Sequence, residues 1–159
     1  MAGIPDLEYT ERLVRILAEA GADLIELGTP LSDPRADGVR VADILGAARR
    51  ITERVSAPLL LMTYYHPVYH LGRGIFCGVA AHAGVAGLLR QVPPENAVPL
   101  ALGFGIATAE QAREAARLAD AVVVGSALVR RVEEAGAGRE GLAAAAALVR
   151  ELATAVHAS

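Results

Sequence analysis

Apolar residues along this chain recur with two different spacings, and these spacings predict helices and strands in turn. Between positions 7 and 20 they return every three or four places, as on one face of a helix. That helix is predicted to bury Leu13, Ile16, Leu17 and Ala20. Short apolar runs at 23–27 and 59–63 have the length of strands buried in a parallel sheet.

The same alternation continues to the end of the sequence. Strands are predicted at 23–27, 59–63, 85–89, 98–102 and 120–124, and helices at 7–20, 41–55, 74–83, 109–118, from 126 onward and at 141–156. Thr108 and Gln111 have the spacing of a capping box. Such alternation is typical of an α/β protein with a parallel sheet and outer helices. With 159 residues and no low-complexity linker, we predict one domain spanning 1–159.

Composition argues against several classes of protein. Fifteen basic residues, all arginine, and 18 acidic residues give a net charge of -3, so we expect no nucleic-acid partner. The single cysteine, Cys77, cannot form an internal disulfide and predicts a reducing, cytoplasmic location. We recognise neither a signal peptide nor an apolar run of membrane-spanning length, and therefore expect no membrane partner.

Two carboxylates lie in or after the first predicted strand, in the stretch DLIELGTPLSDPRADG at 23–38. Glu26 interrupts the apolar run late in the strand, where (β/α) proteins carry their chemistry. If it were buried, desolvation would raise its pKa and suit it to general acid/base catalysis. The alternative is an edge-strand glutamate that faces water. Asp37 is a second candidate, against the alternative of an ordinary Asp-Gly turn.

Two glycine-containing turns, Gly103–Gly105 and Gly125–Ser126, each separate a predicted strand from a predicted helix. Glycine lets backbone N–H groups approach an anion closely, and a helix N-terminus favours negative charge. In (β/α) barrels the loops after the last two strands often bind phosphate. The pair predicts a phosphate site, against the alternative of two tight turns.

Other residues that carry chemistry give weaker indications. The four histidines have no ligand spacing, so we predict no metal site. Cys77 lies in an apolar helix and is predicted to be a core residue rather than a nucleophile. Tyr64 and Tyr65 either line the mouth of a pocket or only pack.

The stretch GADLIELGTPLSDPRADG closely resembles the signature of the tryptophan synthase alpha subunit family. Collinear support comes from AGIPDLE, LLLMTYYHPVY, AGVAGLLRQVPPE, LGFGIATAEQA and DAVVVGSALVRR. The resemblance implies a (β/α)8 barrel that cleaves indole-3-glycerol phosphate to indole and glyceraldehyde 3-phosphate in tryptophan biosynthesis. It also implies that neither a metal nor an organic cofactor is needed.

Site residues are carried over position by position from this resemblance. It makes Glu26 the acid/base glutamate and Asp37 the aspartate that stabilises the protonated indole intermediate through its ring nitrogen. It places Gly105, Gly125 and Ser126 at the phosphate of the substrate.

The remaining positions concern the pocket and the partner. Tyr64 is assigned to the substrate pocket, and Pro30 and Asp33 to the loop that faces the beta subunit. The implied partner is therefore the beta subunit, in a heterotetramer.

The chain departs from the family by being shorter. It starts where the first strand of the family should already have ended, and VPPEN at 92–96 runs almost directly into VPLALGFGI. Two strands, their helices and the mobile lid loop are missing there. Since such a barrel takes about 250 residues, we predict an incomplete TIM-type (β/α) barrel with about five parallel strands.

Three functions follow from this shortened barrel. The first is an active lyase, and the second a catalytically weak remnant that binds the beta subunit. The third is a related enzyme acting on phosphorylated sugars, which the Glu26 and Asp37 pair argues against. A homodimer is one way to cover the open edges of the barrel.

Overall fold

The computed structural model describes residues 6–29, 40–64, 68–69, 71–89, 99–103 and 105–158. In these residues strands and helices alternate except that β4 follows β3 and two helices end the chain, and each predicted element has a counterpart. Their order is α1 (Leu7–Glu19), β1 (Ile25–Gly28), α2 (Val41–Thr52), β2 (Leu59–Met62), α3 (Arg73–His82), β3 (Gly87–Leu89), β4 (Ala101–Leu102), α4 (Ala109–Ala116), β5 (Ala121–Val122), α5 (Ser126–Ala135) and α6 (Arg139–His157).

The chain divides into two compact units. The first comprises Met1–Ala18 and Asp23–Gln91, and the second Glu19–Ala22 and Val92–Ser159. That both belong to one domain stays a prediction.

The first unit contains a parallel sheet in the order β1-β2-β3. Ile25 pairs with Leu59, and Leu27 pairs with Leu61; all four are buried. Glu26, between the two buried residues of β1, is exposed. Because successive side chains of a strand point to opposite faces, one face of this sheet forms core and the other carries Glu26.

Helices α1 and α2 supply much of the remaining core of this unit. In α2 the predicted face is confirmed, since Ile44, Leu45, Ala48 and Ile51 are all buried. In α1 the prediction was partly wrong. Leu17 and Ala20 are buried, but Leu13 and Ile16 are only half-buried. The buried stripe runs instead through Tyr9, Thr10, Val14 and Leu17, positions that share one helix face by their spacing.

Helix α3 corrects the prediction for Cys77. Its buried residues are Phe76 and Ala80, one turn apart on the same face. Cys77 is rotated away from them and is exposed, so its assignment to the core was wrong. The helix is apolar nearly all round, and for that reason its sequence did not reveal which face is covered.

The second unit contains a parallel pair of short strands, β4 and β5. Ala101 pairs with Ala121, and Leu102 with Val122. The core cluster of this unit joins α4 to α6 through Ala112, Leu148 and Leu152, with Val122 of β5 packed against it. The strands are shorter than predicted, but their order along the chain is as expected.

Candidate functional site

Glu26 lies on β1 at one edge of the three-stranded sheet. The residue that pairs with it on β2 is Leu60, which is half-buried. Glu26 is exposed, so it is not the buried glutamate that was one of the two possibilities in the sequence. In the described residues, its placement fits the alternative of an edge-strand glutamate facing water, and it also leaves the carboxylate accessible to a substrate.

Two threonines connect the carboxyl ends of β1 and β2. Thr29 N–H donates to the Met62 carbonyl at 2.8 Å, and the Thr29 hydroxyl lies 3.0 Å from the Thr63 hydroxyl. The Thr63 hydroxyl in turn donates to the Tyr64 carbonyl at 3.3 Å. Thr29 is only 3% exposed. These bonds fix the point at which the chain leaves β1 beside the point at which it leaves β2.

This threonine pair was not predicted from the sequence, because the two residues meet only through the register of β1 on β2. Thr29 follows the paired residue Ile25 by four positions, and Thr63 follows Leu59 by four. Two hydroxyls at the same offset after adjacent parallel strands come close together, because those strands run in register.

The remaining predicted residues of this region divide into two groups. Pro30, Asp33 and Asp37 lie outside the described residues. Tyr64, two residues beyond β2, is 48% exposed, and its place in a pocket stays a prediction.

The two glycine turns of the second unit are held close together. Val123 N–H donates to the Leu102 carbonyl at 2.8 Å and continues the pairing of β4 with β5. A Cβ atom on Gly103 would lie 2.9 Å from the Cβ atom of Val123. Only glycine permits this approach, and both turns therefore begin side by side at the carboxyl ends of paired strands.

No described side chain caps the first turn of α5. Gly125 is its N-cap residue, without a side-chain capping bond, and Ser126 is its first residue. Uncapped N–H groups at a helix start bind acceptors readily, and the helix dipole favours negative charge there. Cβ atoms added at Gly105 or Gly125 would meet no atom of the described residues within 4 Å.

Helix α4 follows the Gly103–Gly105 turn, and side chains of the helix start already accept hydrogen bonds from N–H groups at its N-terminus. The Thr108 hydroxyl accepts from Gln111 N–H at 3.3 Å. The Gln111 side-chain oxygen accepts from Ala107 N–H at 2.9 Å and from Thr108 N–H at 3.2 Å. The capping box is thus confirmed, and α5 is the better candidate for phosphate.

Neither a metal-binding cluster nor a membrane-spanning helix occurs in the described part of the chain. It holds no cluster of three or more histidine, cysteine, aspartate or glutamate residues that could bind a metal ion. Among the helices described, none is long and apolar enough to cross a membrane.

Comparison with known families identifies relatives along nearly the whole chain. The family model described as "Tryptophan synthase alpha chain" matches residues 1–98 and 88–157. The change from one matched segment to the next falls where the missing stretch of barrel was predicted.

Curated relatives agree with this match. The tryptophan synthase alpha chain of Synechocystis sp. is 31% identical over 243 residues, covering 98% of this chain and 90% of that protein. Its counterpart in Geobacter sulfurreducens is 32% identical over 241 residues, covering 99% and 88%. Both alignments are longer than this 159-residue chain and therefore contain gaps, which confirms that it is a shortened form.

A solved structure gives the fold class. The tryptophan synthase alpha subunit of Legionella pneumophila superposes with a TM-score of 0.87 at 26% identity, covering 99% of this chain and 90% of that one. With five parallel strands in the described residues, the predicted incomplete TIM-type (β/α) barrel with outer helices is confirmed.

Proposed function

Because the chain belongs to the tryptophan synthase alpha chain family, we propose that it is a carbon–carbon lyase of tryptophan biosynthesis. Its substrate is indole-3-glycerol phosphate, and its products are indole and glyceraldehyde 3-phosphate. The observation that carries the proposal is the family match over residues 1–98 and 88–157. The cytoplasmic location predicted from the single cysteine belongs to the same proposal.

Glu26 is assigned the proton transfers. Cleavage requires a proton delivered to C3 of the indole and a proton removed from the glycerol hydroxyl next to the breaking bond. The bonding electrons return to the indole ring while the hydroxyl-bearing carbon becomes an aldehyde. One mobile carboxyl group serves both steps, and the exposed position of Glu26 on β1 leaves it free to move.

The two other parts of the site hold the ends of the substrate. Asp37 is assigned to the ring nitrogen, where its negative charge stabilises the protonated indole. Gly105, Gly125 and Ser126 are assigned to the phosphate, which the open N-terminus of α5 supports. Tyr64 is assigned to the pocket that receives the indole.

The lyase assignment is tested by assaying purified protein for indole release from indole-3-glycerol phosphate, with and without a beta subunit. We expect release by the wild type and none by Glu26→Gln, with the same circular dichroism spectrum. Glu8→Gln, an exposed change on α1, is the matched control and should retain activity. No indole under either condition would refute the lyase function.

The phosphate site is tested separately with inorganic phosphate and glycerol phosphate. Gly125→Asp places a negative charge where the phosphate is expected and should abolish binding. Since a Cβ at this position meets no described atom within 4 Å, the variant should fold normally. Equal affinity in wild type and Gly125→Asp would rule out the site.

A second candidate function is a catalytically weak remnant that binds the beta subunit through the loop containing Pro30 and Asp33. It is favoured by the gaps in the relatives' alignments, since the mobile lid loop was assigned to the missing stretch. Calorimetric titration with a tryptophan synthase beta subunit, beside the indole assay, distinguishes the remnant from the active lyase. Binding without indole release supports the remnant, and absence of binding excludes it.

A further inference from the structure

Leu100 and Asp120 are joined by several hydrogen bonds immediately before β4 and β5. Leu100 N–H donates to Asp120 Oδ2 at 2.8 Å. The Leu100 carbonyl accepts from Asp120 N–H at 2.9 Å and from Ala121 N–H at 3.1 Å. Both backbone polar groups of Leu100 are therefore bound to the segment that enters β5, and a carboxylate serves as one of the acceptors.

This connection matters because the strands it precedes are short. β4 and β5 have two residues each, so few ladder bonds fix which residue faces which. Pairing that slipped by one residue would turn every side chain of the strand to the other face. A slip of two residues would shift one strand along the other by about 6.6 Å.

The two glycine turns follow directly from this register. Leu102 and Val123 make the next backbone bond at 2.8 Å, and the close approach of Gly103 to Val123 comes immediately after it. Gly105 follows Leu102 by three residues and Ser126 follows Val123 by three, so a change of register would shift the chain leading to one of them relative to the other.

We propose that Asp120 is a positioning residue for phosphate: by fixing the register of β4 on β5, it holds the two phosphate-binding turns at their working separation. This inference rests on the proposed phosphate site. Asp120 has no contact with the ligand in this role and acts through the backbone of Leu100.

Simple electrostatics makes the opposite prediction. Removing a carboxylate lowers the negative charge of the unit, and an anion should then bind more tightly. The positioning role predicts weaker binding when the acceptor is lost, and unchanged or slightly tighter binding when the charge is removed but the acceptor is kept. Whether phosphate affinity falls or rises when the acceptor is lost therefore distinguishes the positioning role from simple electrostatics.

The experiment titrates inorganic phosphate into the full chain and follows backbone amides by NMR. Asp120→Ala removes the acceptor, Asp120→Asn keeps one, and Glu151→Ala removes a charge from an exposed position on α6. We expect roughly tenfold weaker binding for Asp120→Ala, the size of effect that loss of one charge-assisted hydrogen bond gives. The other two variants should bind at least as well as the wild type.

Amide hydrogen exchange at Leu100 and Val123 provides the second readout. Exchange at both should accelerate in Asp120→Ala and stay slow in Asp120→Asn. Wild-type affinity in Asp120→Ala, or an equal loss in Asp120→Asn, would overturn the positioning role while leaving the phosphate site in place. Wild-type protein that binds no phosphate would overturn both the site and this inference.

Discussion

At the residue scale, Gly84 shows how one position controls the approach of neighbouring segments. Thr52, the last residue of α2, donates its hydroxyl to the Ala83 carbonyl at 2.8 Å. Gly84 follows with a φ of +74°, and a Cβ there would lie 2.7 Å from that same hydroxyl. The end of α3 can therefore contact α2 only because residue 84 has no side chain.

Gly84→Ala should lower the free energy of unfolding by about 1–3 kcal/mol, combining left-handed backbone strain with damage to the threonine bond. Gly78→Ala is the matched control within α3. Its Cβ meets nothing within 4 Å, so it should raise stability by about 0.5–1 kcal/mol through helix propensity. Urea unfolding measures both. Effects of the same sign would contradict this account.

Predictions for single residues succeeded where they depended on the local sequence. They failed where they depended on which other segments of the chain cover the residue. Glu26 was placed in a strand because the apolar run around it is local information. Its exposure, like that of Cys77, depends on which other segments pack nearby. The contact between Thr29 and Thr63 requires the β1–β2 register, which no local pattern contains.

At the element scale, the start of α2 contains an exposed charge pair. The Asp43 carboxylate accepts from the Arg40 side chain at 3.1 and 3.2 Å and from Arg40 N–H at 3.1 Å. The side-chain bond from Arg40 is the main cause that lowers the pKa of Asp43, with the backbone bond second. A lowered pKa means that this pair stabilises the helix start above the unfolded pKa of Asp43. That stabilisation is lost as the pH falls through the lowered value.

We therefore expect Arg40→Ala to raise the pKa of Asp43 toward its ordinary value, because only the backbone bond is then left to lower it. Arg54→Ala, an exposed arginine beyond the end of the same helix, should leave the pKa of Asp43 unchanged. NMR titration of the Asp43 carboxyl carbon measures this. The prediction is wrong if Arg40→Ala and wild type titrate together.

The capping box of α4 gives a second prediction at this scale. Thr108→Ala removes the hydroxyl that accepts from Gln111 N–H and should cost about 1 kcal/mol of unfolding free energy. Thr108→Ser keeps an acceptor oxygen and should recover most of the loss. Thermal unfolding followed by circular dichroism compares the variants. Equal stability of the alanine and serine variants would show that the cap contributes nothing.

The positions of helices and strands could be predicted where residues close together in the sequence determine them. Thr108 and Gln111 are three positions apart, and their spacing correctly predicted the start of α4. The strand predicted at 120–124 is only Ala121–Val122 in the structure, because strand length depends on how far a distant partner continues alongside.

At the scale of the whole molecule, the described residues leave large apolar side chains open to solvent. Ile75 on α3 is 65% exposed, and Leu118 beyond α4 is 73% exposed. A complete barrel has eight strands with a ring of helices, whereas the described residues contain five strands. Exposed apolar side chains of this size favour association with another surface.

We therefore propose that the isolated chain self-associates, with a homodimer as the simplest product. Sedimentation velocity from about 1 to 100 μM should show a mass that rises with concentration, as mass action requires. Ile75→Ser with Leu118→Ser should weaken the association, and Glu8→Gln should not. A monomer at every concentration would refute this proposal.

The close approach of Gly103 to Val123 has a consequence for which substitutions selection can tolerate. At Gly103 a side chain collides with the neighbouring strand, so variants there are lost whether or not the protein has a ligand. At Gly125 a Cβ meets no described atom within 4 Å, and we expect a variant to fail only if a ligand must occupy that space. In saturation mutagenesis under selection for tryptophan synthesis, the substitutions lost at residue 103 would then report defects in folding. Those lost at residue 125 would report defects in ligand binding.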